Sequence, residues 1–262
     1  MRPERVPVVI GVLAAMGAAF FIVPLVGLVV RTPWSDALAQ LTAPETVEAL
    51  RLSLVASLSA TAIALLLGVP LAWVYARVEF PGRSLLRALT TLPMVLPPVV
   101  GGVALFLAFG RRGLVGAWLD SAFGITIPFT TAGAVMAETF VAMPFLVLTV
   151  EAGLRSMDRR YEEAARTLGA GRWTVFSRVT IPLIAPSLLA GAVLCWARAL
   201  GEFGATITFA GNFPGVTQTM PLAVYLLLET TNPEASYVLS LVLLCVSVGV
   251  LVALRHRWLG SA

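Results

Sequence analysis

Two oppositely charged residues lie four positions apart within a long apolar stretch of this sequence. Arg198 and Glu202 belong to the run "WARALGEFGA", and an i,i+4 spacing on a helix places two side chains on the same face. An unpaired charge inside a membrane costs at least ~2.5–3.5 kcal/mol, so we predict that the two charges neutralise each other. A structural ion pair is one interpretation, and direct attraction of an anion by Arg198 is the other.

Neutral hydrogen-bonding side chains follow this pair. No charged residue lies between positions 203 and 228, where hydroxyl and amide groups are the polar side chains. Such groups can pass a polar solute along without holding it tightly. Alternatively, each threonine bonds to a carbonyl of its own helix and faces a neighbouring helix. The candidates for a solute pathway are Thr206, Thr208, Asn212, Thr217, Gln218 and Thr219.

The residue types used for catalysis and metal binding are sparse. The one histidine, His256, lies in the tail "RHRW", and Cys195 and Cys245 stand in separate apolar runs. They provide no metal-ligand spacing, no disulfide framework and no acid–base constellation. The run "GAGRWT" also lacks the Lys-Ser/Thr of a P-loop. We therefore expect a chain that is not an enzyme and that binds no metal or cofactor of its own.

A polar segment near the middle, "DRRYEEAARTLGAGRWTVFSRVTIPL", predicts a short helix over 159–168. Asp158 suits its N-terminus, and Gly169 suits the residue after its C-terminus. One apolar stripe is formed at helical spacing by Tyr161, Ala164, Ala165 and Leu168. The segment either lies on lipid headgroups, with Trp173 and Phe176 inserted, or docks on a partner protein.

These groups must be positioned by membrane helices. The chain has 262 residues, of which 58% are hydrophobic and only 12% charged, against about 25% charged in soluble proteins. A span needs about 20 mostly apolar residues. We predict an all-α membrane protein, with residues 1–262 as a single transmembrane domain and a polar loop at about 156–182. Six spans are expected at about 6–30, 50–76, 86–109, 130–154, 183–211 and 236–254.

The distribution of arginine predicts the orientation of the spans. All 18 basic residues are Arg, and basic residues concentrate in cytoplasmic loops. The N-terminus, the second and fourth connections and the tail hold 13 of them, whereas the opposite side holds 4. Both termini are therefore predicted to face the cytoplasm. With spans present, the positive charge indicates topology and contact with lipid, and we expect no nucleic acid partner.

The polar segment resembles the EAA loop of ABC importer permeases. Glu163, Ala164 and Ala165 are followed after three residues by Gly169, and after nine more by the run "VTIP" that ends at Pro182. The pattern of the family is E-A-A-x3-G-x9-I-x-L-P, with Val and Ile standing here for Ile and Leu. The runs "LPPVVGG" at 96–102 and "RALGEFGATITFAGNFPGVTQTMPLAVY" at 198–225 are similar to the molybdate-type permeases, relatives of the sulfate/thiosulfate permeases.

This resemblance implies a type I ABC importer permease fold with a cytoplasmic coupling helix. It implies a homodimer with a cytoplasmic ATPase dimer, which binds ATP and Mg, and with an extracytoplasmic oxyanion-binding protein. The stripe of Tyr161, Ala164, Ala165 and Leu168 would contact the ATPase, with Glu163 as a polar anchor and Gly169 as the turn. The hydroxyls and amides of 206–219, together with Arg198 and Glu202, would line the passage of molybdate or tungstate.

Two alternatives remain at this point. A sulfate or thiosulfate permease shares much of the same pattern. An ion-coupled secondary anion transporter would be expected to carry a coupling-ion site or an inverted repeat, and neither is apparent in the sequence. Glu138, within the predicted fourth span, has no partner that its sequence neighbourhood identifies.

Overall fold

The computed structural model describes residues 7–229 and 233–258, which form helices joined by turns, with no strand among them. Many of the helices are apolar over their whole length, as expected where lipid or other helices surround them. In chain order the helices are α1 (Val8–Arg31), α2 (Ala37–Leu41), α3 (Pro44–Arg77), α4 (Arg83–Thr91), α5 (Pro98–Phe109), α6 (Gly116–Phe123), α7 (Thr131–Ser156), α8 (Arg160–Thr167), α9 (Arg172–Val175), α10 (Ile181–Leu183), α11 (Ala185–Leu200), α12 (Gly204–Phe209), α13 (Met220–Glu229) and α14 (Pro233–Trp258).

Three helices, α1, α3 and α7, are each long and apolar enough to cross a membrane. Two bent pairs bring the number to five if each pair is one span. The sixth predicted span, 236–254, falls on α14, which is apolar over Pro233–Gly249. The count of six therefore stays a prediction.

The third and fifth predicted spans are interrupted rather than continuous. The segment Arg83–Met94, formed by α4 and a short 3₁₀ turn, meets α5 at 118°. The break falls where Pro97 and Pro98 provide no backbone N–H to continue a helix. The predicted span 183–211 is not one continuous helix, because α10 bends into α11 and the chain leaves the helix after Leu200 and resumes it at Gly204.

The core lies around α7, which packs along both α3 and α11. Leu146 and Leu154 of α7 and Tyr75 of α3 are fully buried there. Small residues allow the close approach of α7 and α11. A Cβ on Gly153 would lie 2.5 Å from the Cβ of Ser187, so the Ser187 side chain packs directly against the backbone of α7.

α13 was not predicted from the sequence. It packs against α14 and α3, and its first residue donates a backbone hydrogen bond to the hydroxyl of Ser53 over 2.7 Å. The preceding turn contains Gly215 at φ +74°, in keeping with the predicted Pro214-Gly215 turn. The loop that carries the predicted pathway residues is therefore anchored at both ends by helices.

Candidate functional site

Helix α8 is the predicted coupling helix, and residues next to its two ends determine where it begins and where it ends. The Oδ1 of Asp158 accepts a hydrogen bond from the backbone N–H of Arg160 over 2.9 Å. At the other end Gly169 has φ +86°, which favours glycine. The N–H of Gly169 donates to the carbonyl of Arg166 over 2.9 Å, and that of Ala170 to Ala165 over 3.0 Å. This is the Schellman pattern of a closed helix C-terminus.

The predicted contact face of α8 is open. Tyr161 is 59% exposed and Leu168 is 89% exposed. Glu163 and Ala164 are also exposed, and Ala165 is half-buried. Exposed apolar side chains around a small central residue suit the docking of a partner. That this face binds an ATPase stays a prediction.

The side chain that holds α8 to the rest of the protein is Glu162, which sequence reasoning missed. It is buried, its Oε1 accepts a hydrogen bond from the Thr180 hydroxyl over 2.7 Å, and its Oε2 lies 3.4 Å from the Nε of Arg77. Arg77 ends α3, and Thr180 precedes α10. Both partners are too distant in sequence for the helix pattern to reveal them. Glu163, the predicted anchor, has no such partner among the described residues.

We predict that Glu162→Ala destabilises the protein by about 3–5 kcal/mol, because it leaves the buried guanidinium of Arg77 without its counter-charge. Thermal unfolding in detergent measures the loss. Glu163→Ala is the matched control, since removal of an exposed side chain changes stability by about 0.5 kcal/mol or less. Equal effects of the two substitutions would contradict the assignment.

The segment after α9 leads into the membrane by a change of helix type. Residues Phe176–Thr180 form a π-helical turn, and Pro182 lies in the first turn of α10. Proline is tolerated there because the first N–H groups of a helix lack partners within it. The helical segment Arg172–Leu183 then bends by 73° into α11. Pro182 thus lies near the corner that joins the predicted coupling loop to the predicted fifth span.

Arg198 and Glu202 form the predicted ion pair, with Nη2 and Oε2 2.6 Å apart. The side chain of Glu202 is 1% exposed. Glu202 lies beyond the end of α11, and its Oε1 accepts the backbone N–H of Ala205 over 2.8 Å. The carboxylate therefore caps α12 as well as pairing with Arg198, which sequence spacing did not predict.

The predicted pathway side chains fall into two groups. Thr208 donates to the carbonyl of Gly204 over 2.7 Å, and the hydroxyl of Thr217 accepts from the N–H of Phe213 over 2.9 Å. The other members have a buried polar atom without a hydrogen-bond partner in the described part of the chain: Thr206 Oγ1, Asn212 Oδ1, Gln218 Nε2 and Thr219 Oγ1. Unused buried polar atoms of this kind can take up a passing solute or water.

Glu138 of α7 joins this set of unpartnered groups. It is 1% exposed, and its Oε2 has no hydrogen-bond partner within the described residues. α7 packs against α12, which follows Glu202. The sequence identified no partner for Glu138 nearby in the chain, and among the described residues its Oε2 also has no hydrogen-bond partner.

α12 is held against α5 through glycines. A Cβ on Gly102 would lie 2.6 Å from the Cβ of Thr208 and 2.9 Å from the carbonyl oxygen of Ala205. A Cβ on Gly204 would lie 2.9 Å from the Cβ of Pro98. The position of the threonines on α12 therefore depends on two backbones in direct contact.

We predict that Gly102→Ala destabilises the protein by about 1–3 kcal/mol, because the new methyl group meets backbone atoms of α12 that cannot move aside. Gly101→Ala is the control: its Cβ would meet the Phe140 ring at 3.2 Å, which a small rotation of the ring relieves. Thermal unfolding of the two variants in the same detergent checks the difference. Equal loss at both positions would show that α5 and α12 are not in close contact.

Comparison with known proteins decides the family. The model for the binding-protein-dependent transport system inner membrane component matches residues 64–261, well over half of the chain. The chain belongs to this family. It is a multi-pass membrane component of a transport system, a permease subunit rather than a catalytic ATPase.

Relatives of known name align over most of the chain. The molybdenum transport system permease protein ModB of Mycobacterium tuberculosis is 47% identical, covering 93% of this chain and 92% of the relative. That of Escherichia coli is 44% identical, covering 84% and 95%. The sulfate transport system permease protein CysT of Escherichia coli is 38% identical, covering 85% and 81%.

Solved permease structures share the fold. A chain of a bacterial ABC transporter that imports the acidic polysaccharide alginate matches with a TM-score of 0.68, at 18% identity and with 94% of each chain covered. One from the MetNI methionine ABC transporter matches with a TM-score of 0.58, at 19% identity, covering 89% of this chain and 96% of that one. At these identities the likeness concerns the fold alone. The predicted fold class, that of a type I ABC importer permease, is confirmed.

Proposed function

We propose that this chain is the membrane-spanning permease subunit of an ATP-driven importer that carries molybdate into the cytoplasm. The observation that supports it most is the 44–47% identity to molybdenum permeases over most of the chain. The lower identity to sulfate permeases makes sulfate the second candidate. Tungstate, a tetrahedral dianion like molybdate, falls within the same proposal.

In this proposal α8 receives the motion of a separate ATPase. ATP and Mg bind on that partner, and its surface seats the exposed stripe of Tyr161 and Leu168. Glu162 then transmits the displacement, because it is bonded to Arg77 at the end of α3 and to Thr180 before α10. Both links lead into the helices packed on α7, so the membrane helices move as rigid bodies.

The passage is neutral and binds the anion weakly. Arg198 is balanced by Glu202, and the unpartnered atoms of Thr206, Gln218 and Thr219 offer hydrogen bonds without net charge. A site that holds a dianion tightly would not release it, so affinity and selection are assigned to an extracytoplasmic binding protein. Whether Arg198 contacts the anion or serves only as the partner of Glu202 is tested by the double variant discussed below.

Reconstitution tests the function. The chain is placed in vesicles with its ATPase, the binding protein is added outside, and uptake of labelled molybdate is followed with and without ATP. We expect uptake that requires ATP, and we expect excess tungstate to compete more strongly than excess sulfate. Preferential uptake of sulfate would favour the second candidate. Uptake by the chain alone, without nucleotide, would indicate an ion-coupled transporter instead.

The assembly belongs to the same proposal. It contains two copies of this chain, an ATPase dimer on the cytoplasmic side and one binding protein outside, with both termini of the permease in the cytoplasm. The support is the resemblance of the EAA loop and the asymmetric distribution of arginine. Native mass spectrometry of the purified complex measures the number of copies.

A further inference from the structure

A polar cleft of about 550 Å³ lies at the ends of α3 and α7, beside the chain that enters α8. Its lining includes none of the groups assigned to the passage, which lie at the end of α11, on α12 and in the loop after it. Its volume leaves room for an anion together with water. The lining residues are Ala76, Arg77, Glu79, Arg83, Arg155 and Arg159.

Two of these arginines use little of their hydrogen-bonding capacity. Arg83 donates to the carbonyl of Tyr75, and Arg159 donates to that of Ala76 over 3.3 Å. These are their only side-chain hydrogen bonds within 7–229 and 233–258, whereas a guanidinium has five N–H donors. Capping of the C-terminus of α3 explains one donor of each arginine and leaves the others free.

The charges around the cleft do not balance. Glu151 is paired with Arg87 and Arg155, and Glu162 is paired with Arg77. Arg83 and Arg159 form no ion pair within the described part of the chain, and neither does Glu79 on the cleft wall. The five arginines and three glutamates of this cluster, at 77, 83, 87, 155 and 159 and at 79, 151 and 162, leave two positive charges uncompensated.

We propose that this cleft binds a tetrahedral oxyanion, with Arg83 and Arg159 as its principal ligands. Guanidinium groups match the geometry of such anions through paired N–H donors. The chemistry is shared by a free dianion, such as molybdate, sulfate or hydrogen phosphate, and by the phosphate of an anionic phospholipid. The inference goes beyond the proposed function, because the site lies beside the coupling helix rather than in the passage.

The test uses the full chain in nanodiscs of phosphatidylcholine. Molybdate, sulfate and phosphate are titrated separately by calorimetry into the protein and into Arg83→Gln/Arg159→Gln. We expect binding that becomes at least about tenfold weaker in the double variant, because each lost charge-assisted hydrogen bond contributes to affinity. Any affinity that remains in the double variant is assigned to the passage.

Two control variants separate a lost ligand from a damaged fold. Arg111→Gln/Arg112→Gln removes the same charge from the connection after α5 and should leave binding unchanged. Glu79→Gln removes the unpaired carboxylate of the cleft wall and should tighten binding. A gain of affinity is not a result that misfolding produces, so this variant keeps the test decisive if the double variant is unstable.

A second experiment, with lipid, tests whether the bound anion is a phospholipid headgroup or a free anion. If the cleft takes a headgroup, phosphatidylglycerol is retained by the natural chain and lost from Arg83→Gln/Arg159→Gln in native mass spectrometry. If neither free dianions nor phosphatidylglycerol distinguish the two proteins, and Glu79→Gln changes nothing, the proposal is wrong. ATP-driven uptake is measured on the complex and this binding on the chain alone, so either proposal can fail without the other.

Discussion

Arg198→Ala should abolish uptake and destabilise the protein by about 3–5 kcal/mol. The carboxylate of Glu202 is 1% exposed, and the substitution leaves it without the guanidinium that lies 2.6 Å away. Removal of one partner from a buried pair leaves an uncompensated charge, which is where most of the cost arises. Thermal unfolding in detergent measures stability, and vesicles containing the ATPase and binding protein measure uptake.

The double variant Arg198→Ala/Glu202→Gln should recover most of the lost stability. Glutamine removes the charge but keeps an oxygen that can accept the N–H of Ala205, so α12 retains its cap. Partial recovery of uptake indicates a structural pair, and recovery of stability alone indicates that Arg198 contacts the anion. Arg111→Ala is the control, because its exposed pair with Asp120 should contribute little. An unchanged stability of Arg198→Ala would contradict the ion-pair assignment.

Glu163→Lys should abolish both uptake and co-purification of the ATPase while leaving the permease folded in the membrane. Glu163 is exposed on α8 and has no side-chain partner within the described chain, so reversal of its charge costs little in the isolated protein. If α8 docks on the ATPase, the ATPase groups that face Glu163 favour a negative charge. A lysine at this position places a positive charge against them and repels the partner. Affinity capture of the ATPase and thermal unfolding are measured on the same preparation.

Glu45→Lys makes the same charge reversal at an exposed position in the first turn of α3, far along the chain from α8. It should retain the ATPase. Gly169→Asp is a second probe of the coupling helix, because a side chain at φ +86° strains the turn that closes α8. Normal capture of the ATPase by both Glu163→Lys and Gly169→Asp would exclude α8 as the docking element.

The features that sequence patterns predicted are local ones. The beginning of α8 just after Asp158, its end just before Gly169 and its apolar stripe each depend on residues within about one or two helical turns. The pairing of Arg198 with Glu202 also follows from a four-residue spacing. In these cases the geometry of one helix determines which side chains meet.

The features that were missed depend on contacts between distant parts of the chain. Glu162 is 85 residues from Arg77 and 18 from Thr180, so its role was hidden beside the more recognisable Glu163. The prolines at 97 and 98 indicated a kink, but the 118° turn depends on packing against other helices. α13, with 10 residues, is shorter than a span and was hidden in a predicted loop.

The turn between Met94 and Pro98 exposes polar backbone groups. Within the described chain, the carbonyls of Val95 and Leu96 accept no hydrogen bond, and Val95 is 84% exposed. Acyl chains offer no donors, and irregular backbone that faces hydrocarbon is not found inside bilayers. Because this turn falls within the predicted span 86–109, we expect the annulus of lipid around the permease to be interrupted at this edge, where water or another polypeptide meets the chain.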